Sequence, residues 1–379
     1  MTDRRRNVVL QAFALAIVAA VITYLIWNLT INLNRMGMGF GMGFLRDRAG
    51  FELVFKLTDF NAASTYAYAF WTGLLNTILA SMAGIVLATL IGVVVGVARW
   101  SRLPVVSDLA TVYVELFRNI PMLLQLFFWY FFALRSLPGV AQSVSIADAV
   151  FLNSRGLFLP GVTIDSQEAF ALFGALLLSA ASVLLLSAAR RIRIDQGRQP
   201  SWRIFAWGLL VAAVAIAITC ILTLEWHFPA KTKFSMQGGV TVIPELVALI
   251  AALSCYFAAH VAECVRAGLN GVSHGQREAA EALGFPFIKT VRLILLPQAV
   301  RTIIPPLANI FLTLVKASAL GSAIAYPEIL QVAKTTVVST GQALDVSIIL
   351  ILAFLSINLV IALAMNWFER RYKIVTAND

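Results

Sequence analysis

Residues 271–301 read GVSHGQREAAEALGFPFIKTVRLILLPQAVR and separate two long apolar runs. Ser273 followed by Gln276 fits a capping box, which predicts that a helix begins there. Gly284 is placed to end that helix in a left-handed conformation, and Pro286 suits the first turn of a second helix. The segment is therefore predicted to form two short helices at an angle. These residues alone are compatible with a loop that lies on anionic lipids and with one that binds a protein.

The rest of the chain is too apolar for a soluble protein. Of its 379 residues 60% are hydrophobic and 13% charged, and the mean hydropathy is +0.85. Soluble domains have roughly 45–50% apolar and about 25% charged residues. We therefore expect an all-α integral membrane protein with about eight transmembrane helices. The eight apolar runs lie near 8–31, 70–98, 107–133, 167–189, 203–224, 241–265, 303–324 and 343–367.

The charge distribution predicts the orientation in the membrane. Placing the amino terminus in the cytoplasm puts 18 of the 29 Lys and Arg residues inside and nine outside. This bias follows the positive-inside rule, so both termini and residues 271–301 are predicted to be cytoplasmic. The net charge of +10 is spread over short clusters between apolar runs. Such clusters indicate topology and give no reason to expect nucleic-acid binding.

The sequence contains none of the motifs that would support catalysis. It has no GxxxxGK[ST] phosphate-binding loop and no HExxH motif, and its three histidines are dispersed. Cys220, Cys255 and Cys264 lie in apolar runs without metal-binding or disulfide spacing. We predict a chain that is not an enzyme and holds neither a cofactor nor a metal.

Polar residues inside apolar runs mark either a translocation path or pairs that satisfy one another. Glu115 and Arg118 lie one turn apart on the third run, and Pro121 breaks the helix just beyond them. Glu263 and Arg266 have the same spacing near the cytoplasmic end of the sixth run. For both pairs, a structural role and a role in the path or its gate remain open.

Two other features allow more than one interpretation. Gly92 and Gly96 form a GxxxG motif, which permits close helix approach and could mark a dimer seam. The outer segments 33–68 and 134–166 are either connectors or docking sites for a soluble partner. Four alternating glycines in MGMGFGMGF, residues 36–44, argue against a regular helix in the first of them.

The cytoplasmic loop carries a family motif. Glu278-Ala279-Ala280, Gly284 and then Ile294, Leu296 and Pro297 are similar to the EAA-x3-G-x9-I-x-L-P loop of permease subunits of ATP-binding-cassette (ABC) importers. ELFRNIPMLLQL at 115–126 and PQA at 297–299 resemble the polar amino-acid branch of that family. The chain most resembles the long permease subunits of general L-amino-acid or glutamate/glutamine/aspartate/asparagine importers.

The resemblance implies a type I ABC importer permease core of five helices, formed by the runs at 70–98, 107–133, 241–265, 303–324 and 343–367. It divides the chain into an extra amino-terminal helix with an external Gly-rich loop (1–69), the first part of the core (70–133), an insertion with two extra helices (134–240), the second part of the core (241–367) and a cytoplasmic tail (368–379).

The resemblance also implies partners and site residues. The expected partners are an ATPase dimer that carries ATP and Mg, a second and non-identical permease, an external amino-acid-binding protein and the lipid bilayer of a bacterial inner membrane. The residues expected to couple to the ATPase are Glu278, Ala279, Ala280, Leu283, Gly284, Ile294, Leu296 and Pro297. The residues expected in the substrate path or gate are Glu115, Arg118, Pro121, Gln125, Glu263, Arg266, Asn309, Lys316 and Ser318.

The sequence departs from the family pattern after Lys316, because Ala317-Ser318-Ala319-Leu320 lacks the aspartate and threonine that many amino-acid permeases have there. A partner permease is therefore expected to complete the substrate site. The competing hypothesis is a self-contained secondary transporter driven by an ion gradient. Such transporters usually show internal repeats, and the EAA-type loop occurs once.

Overall fold

The computed structural model describes residues 3–35, 41–101, 103–163, 166–232 and 235–372. Within these ranges the helices are α1 (Asp3–Arg35), α2 (Tyr66–Trp100), α3 (Pro104–Asn119), α4 (Met122–Phe127), α5 (Ser166–Gln196), α6 (Arg203–Thr223), α7 (Pro244–Asn270), α8 (His274–Ala282), α9 (Phe287–Thr290), α10 (Leu296–Ala317), α11 (Ile329–Thr340) and α12 (Ala343–Tyr372). Short 3-10 helices cover Met42–Arg46 and Ser318–Ile324. Residues 36–40 of the Gly-rich loop and 373–379 of the tail lie outside the described residues.

Six helices in the described ranges are long and apolar enough to cross a membrane. The number is seven if α3 and α4, which are bent by 102° relative to each other, form one span. The first predicted span contributes the apolar stretch Val9–Leu25, which is shorter than this length. The predicted class of helical membrane protein is confirmed, whereas the predicted count of eight spans is not.

The chain divides into two compact units, one formed by Met1–Phe132 with Ala248–Asp379 and the other by Ala133–Val247. In the first unit α2 packs against α3, α10 and α11, and α10 packs against α12. The short helix α11 was not predicted. With twelve residues it is too short to register as a span.

Glycines on α2 allow a close approach of α7. A Cβ atom at Gly92 would lie 2.5 Å from Val261 Cβ, and one at Gly96 would lie 2.7 Å from the carbonyl oxygen of Ala262. The GxxxG motif therefore permits close helix packing, as predicted. Its partner is a helix of the same chain, so the interpretation of this face as a dimer seam is wrong.

The segment before α2 is packed onto the core. Phe44 and Phe60 are buried in one cluster with Tyr66 of α2 and with Ile329 and Val332 of α11. Arg48 and Thr65 form an isolated antiparallel bridge that closes this segment. The described part of segment 33–68, from residue 41 onward, is therefore ordered against α2 and α11, and docking of a partner there stays a prediction.

Hydrogen bonds fix the start of α11 against α2. The Asn76 side-chain amide donates to the carbonyl oxygens of Pro327, at 2.8 Å, and Phe55, at 3.1 Å. Glu328 is fully buried and caps α11 by accepting from the backbone amides of Leu330 and Gln331, both at 2.8 Å. Burial raises the pKa of Glu328 to about 8, against the opposing effect of the two amide donors.

The second unit contains antiparallel strands that the sequence did not predict. They are β1 (Val144–Ile146), β2 (Val150–Asn153), β3 (Gly156–Leu159), β4 (Gly161–Thr163), β5 (Glu225–His227), β6 (Ala230–Lys231), β7 (Met236–Gln237) and β8 (Val240–Val242). One sheet has the order β1-β2-β3-β8, and β4–β5 and β6–β7 form two-stranded sheets. The segment 134–166, predicted to be a connector or a docking site, thus contains the strands β1–β4, and docking of a partner there stays a prediction.

The strands β2 and β3 form a hairpin with one buried face. Phe151 and Phe158 are buried at alternating positions of β2 and β3, which the two-residue turn Ser154–Arg155 connects. The helices α5 and α6, which lie between β4 and β5 in the sequence, pack together along their length. The Ser182 hydroxyl donates to the carbonyl oxygen of Ala206 at 2.7 Å across this helix pair.

Candidate functional site

The first helix of the 271–301 loop begins and ends where the sequence predicts. Ser273 is the N-cap of α8, but its side chain makes no capping hydrogen bond, so the predicted capping box is not formed. At the other end Gly284 has φ +72°. Its amide donates to Glu281 O at 3.0 Å, and the next amide, of Phe285, donates to Ala280 O at 3.0 Å. This pair of bonds is a Schellman motif, so the turn is specified by Gly284.

The second helix is not a separate element. α9 covers only Phe287–Thr290 and continues through the π-helical segment Val291–Leu295 into α10. Leu295 is buried, Ile294 is partly buried, and Leu296 and Pro297 are exposed. The prediction of two discrete short helices is therefore wrong for the second one. The loop therefore continues without a break into the transmembrane helix that follows it.

The turn between α8 and α9 presents an exposed surface of mixed character. Leu283 is 75% exposed and Ala279 is exposed, and the Glu278 side chain is 66% exposed. Ala280 is only 1% exposed, because it faces the chain's own loop. Of the predicted coupling residues on α8 and at its C-cap, Glu278, Ala279 and Leu283 are therefore exposed, and Ala280 is buried.

The predicted third span is broken at its centre. α3 ends at Asn119, and the chain turns by 102° through Ile120 and Pro121 before α4 begins. The buried Gln125 side chain donates to the carbonyl oxygens of Phe117, at 2.8 Å, and Ile120, at 3.0 Å. Pro121 has no amide hydrogen to donate to the Phe117 carbonyl, and at the bend the Leu124 amide donates to Pro121 O and not to Ile120 O. Gln125, predicted to line the path, braces this bend.

Replacing Gln125 with leucine is expected to destabilise the bend. The substitution leaves two carbonyl groups unpaired, each at a cost of about 1–3 kcal/mol. The midpoint of thermal unfolding in detergent should fall clearly relative to the wild type. The matched control is Gln331→Leu, because Gln331 is partly buried and its side chain forms no hydrogen bond within the described ranges. An equal, small shift in both variants would contradict a bracing role for Gln125.

A polar cluster joins three elements near the carboxyl-terminal end of α7. Glu263 accepts from Arg266 through Nη2 at 2.6 Å and Nε at 3.2 Å, which confirms the spacing of this pair. Arg99, at the end of α2, also pairs with Glu263 and donates to Thr111 of α3 at 3.2 Å. The Glu263 carboxylate of α7 is thus paired with Arg99 of α2, and Arg99 in turn is hydrogen-bonded to α3.

Glu115 and Arg118 do not pair with each other. Within the described part of the chain, neither forms a hydrogen bond or ion pair, and both are exposed. The expectation of an i, i+3 pair is therefore wrong. Arg118 instead lines a cavity of about 330 Å³ with His260, Glu263, Cys264, Ala267, Gly268, Thr302, Pro306 and Ile310.

The predicted residues of α10 lie apart from this cavity lining. Asn309 and Lys316 are exposed, and no hydrogen bond joins them within the described ranges. The Ser318 hydroxyl is buried and donates to Val315 O at 2.7 Å. Its hydrogen-bond donor is therefore already occupied at the carboxyl-terminal end of α10. Of the predicted path residues, Arg118 and Glu263 line the same cavity.

Sequence reasoning missed Arg99, His260 and Thr302. Arg99 was interpreted only as topogenic charge, although its position at the end of an apolar run also suits a helix-joining ion pair. His260 and Thr302 carry no local signal. They join the site because α7 and α10 are neighbours: Cys264 Sγ lies 3.5 Å from Ile303 O.

These features define a class of protein. It is a helical membrane protein with an exposed loop between two long helices, a broken helix, and a cavity lined by polar and apolar residues of its helices. No group of three or more His, Cys, Asp or Glu side chains that could hold a metal occurs in the described ranges. This combination is typical of a transport permease.

Comparison with known proteins identifies the family. A family model described as "Binding-protein-dependent transport system inner membrane component" matches residues 204–374. The putative amino-acid ABC transporter permease protein YhdX of Escherichia coli is 40% identical over 96% of this chain and 93% of its own length. The general L-amino acid transport system permease protein AapQ of Rhizobium johnstonii is 37% identical over 98% and 93%. The glutamate/glutamine/aspartate/asparagine transport system permease protein BztB of Rhodobacter capsulatus is 32% identical over 98% and 94%.

The chain therefore belongs to the family of amino-acid ABC transporter permeases. It is a non-enzymatic inner-membrane component, and ATP hydrolysis takes place on a separate subunit. Membership of an ABC importer implies an ATPase and a substrate-binding partner in general terms. The resemblance drawn from the EAA-type loop is confirmed.

Proposed function

We propose that this permease moves polar L-amino acids into the cytoplasm and is coupled to its ATPase through the loop 271–301. The observation that carries the proposal is the exposed turn between α8 and α9. There, Leu283 is 75% exposed at the tip of a turn specified by Gly284. An apolar side chain held outward on a rigid turn is suited to burial in a protein groove.

Each coupling residue has a distinct role in this proposal. Leu283 and Ala279 pack into the ATPase groove, and Glu278 makes a polar contact at its rim. Ile294, Leu296 and Pro297 connect the loop to α10 without a flexible joint, since the π-helical segment is continuous with both helices. Closure of the ATPase dimer, with its ATP and Mg, would therefore move α10 together with the loop.

The substrate path runs, in this proposal, along α10 and the broken third span. Lys316 attracts the substrate carboxylate and Asn309 offers a polar contact on the same helix. Glu115, Arg118 and Pro121 line the path where the helix bends, with Glu263 and Arg266 toward the cytoplasm. Ser318 shapes the helix end through its bond to Val315. A second, non-identical permease completes the site, because the chain lacks the polar residues expected after Lys316.

The proposed orientation of the chain in the membrane determines on which side the substrate-binding protein docks. An external amino-acid-binding protein delivers substrate on the side opposite to the coupling loop. Both termini of the chain are cytoplasmic, in keeping with the excess of basic residues on that side. With this proposed orientation, the sheets of the second unit would lie on the external side of the membrane, where the binding protein arrives.

A reconstitution experiment tests the proposed function. The assembly of both permeases, the ATPase and the binding protein is placed in proteoliposomes with labelled glutamine or glutamate. Uptake is expected to require ATP on the ATPase side and to persist when ionophores collapse ion gradients. Vesicles without ATPase serve as the control. Uptake by the chain alone, driven by an ion gradient and independent of ATP, would support the secondary-transporter hypothesis instead.

A further inference from the structure

We infer that the cavity beside Glu263 is a binding site for the zwitterionic backbone of an amino acid, with Arg118 holding the carboxylate. The inference rests on the proposed function and specifies a second site of that path, separate from Lys316 on α10. A cavity of about 330 Å³ lies at the lower end of the size range of small-molecule sites. That size suits a single amino acid.

Charge distribution assigns the carboxylate end. Glu263 already accepts three hydrogen bonds, from Arg99 and Arg266. Two guanidinium groups therefore already compensate its negative charge. Arg118 faces the same cavity, yet its guanidinium forms no hydrogen bond or ion pair within the described ranges. A free guanidinium binds a carboxylate through two parallel hydrogen bonds. The Thr302 hydroxyl, also on the cavity wall, can add a further donor.

The hydrogen bond of His260 assigns the ammonium end. Its Nδ1 lies 3.1 Å from the carbonyl oxygen of Tyr256, which can only accept, so Nδ1 carries the hydrogen. In the neutral ring Nε2 is then an acceptor. Glu263, whose Oε1 accepts a single hydrogen bond, from Arg266, lines the same cavity. These two acceptors are suited to an ammonium group, opposite in character to Arg118.

The rest of the wall leaves room for varied side chains. Ile310, Pro306 and Cys264 present no charge to the ligand. The three arginines around one glutamate give the cluster an excess of two positive charges. Acidic and neutral amino acids are therefore favoured over basic ones, while the backbone contacts are the same for all of them.

Binding to the purified complex, without the external binding protein, tests the assignment. The probes are L-glutamine and 4-aminobutanamide, which is glutamine without its carboxylate. In the wild type, glutamine should bind about tenfold more tightly than the amine, the lower end of the effect of a hydrogen bond to a charged group. Arg118→Gln should lower glutamine affinity to that of the amine and leave amine affinity unchanged. Arg118→Lys should give an intermediate glutamine affinity, because it keeps the charge and loses the paired donors.

Other outcomes are assigned in advance. Equal loss of both probes in Arg118→Gln, or no loss of glutamine, would overturn the inference. Retention of an anionic lipid by the wild type but not by Arg118→Gln, with unchanged glutamine affinity, would assign the cavity to a lipid headgroup and also overturn it. ATP-driven uptake and ATPase co-purification are measured on the same wild-type preparation. Their absence would count against the proposed function, whereas their presence with unselective binding would count only against this site.

Discussion

Replacement of Gly284 with valine is expected to reduce ATP-driven uptake about tenfold or more while the chain still inserts into the membrane. Gly284 has φ +72°, a conformation that costs other L-residues roughly 1–2 kcal/mol and is least accessible to β-branched side chains. Relief of this strain would open the turn and change the angle between α8 and α9. The exposed Leu283 would then no longer face the same groove.

A graded series at the same position separates backbone strain from side-chain bulk. Open space surrounds the site, since a Cβ atom at Gly284 would meet nothing within 4 Å. Gly284→Asn should retain most activity, because asparagine tolerates the left-handed region, whereas Gly284→Val should not. Uptake in membrane vesicles, normalised to the amount of inserted chain, is the measurement. Equal activity of the valine and asparagine variants would show that the turn conformation does not matter for coupling.

Replacement of Gly92 with isoleucine is expected to prevent stable folding of the core. The new Cβ would lie 2.5 Å from Val261 Cβ and 2.8 Å from the carbonyl oxygen of Ala258. One of these contacts is to helix backbone, which cannot rotate away. Overpacking of this kind costs about 3 kcal/mol at the upper end of its usual range. The yield of monodisperse protein in detergent and its unfolding midpoint should both fall sharply.

Gly208→Ile is the matched control for this prediction. Gly208 lies in the apolar helix α6, and a Cβ atom there would meet nothing within 4 Å. The control adds the same apolar bulk and the same β-branching to a transmembrane-type helix. If Gly92→Ile behaves like Gly208→Ile, the close packing of α2 on α7 through this glycine is contradicted.

Local features of the fold could be predicted from the sequence because they depend on neighbouring residues. The helical membrane class follows from apolar runs, and the end of α8 follows from Gly284. The break near Pro121 also follows from one residue. Its 102° angle does not, because the angle depends on the Gln125 side chain reaching back to two carbonyls.

Features that depend on distant parts of the chain could not be predicted. The GxxxG motif indicates close packing but does not name the partner helix, which proves to be α7 of the same chain. In the sequence, Arg118 lies one helical turn from Glu115. In the structure, Arg118 lines a cavity together with Glu263, which is 145 positions further along the chain. The paired strands β3 and β8 are separated in the sequence by the helices α5 and α6. No local pattern could therefore predict their sheet.

Purification of this chain from its native membrane in mild detergent, with mass spectrometry of the bound proteins, tests coupling through the 271–301 loop most directly. Wild-type chain is compared with the double variant Glu278→Ala, Gly284→Val. We predict that an ATPase and a second, different permease accompany the wild type, and that the variant keeps the permease and loses the ATPase. Recovery of the same amount of ATPase with both forms would contradict coupling through this loop.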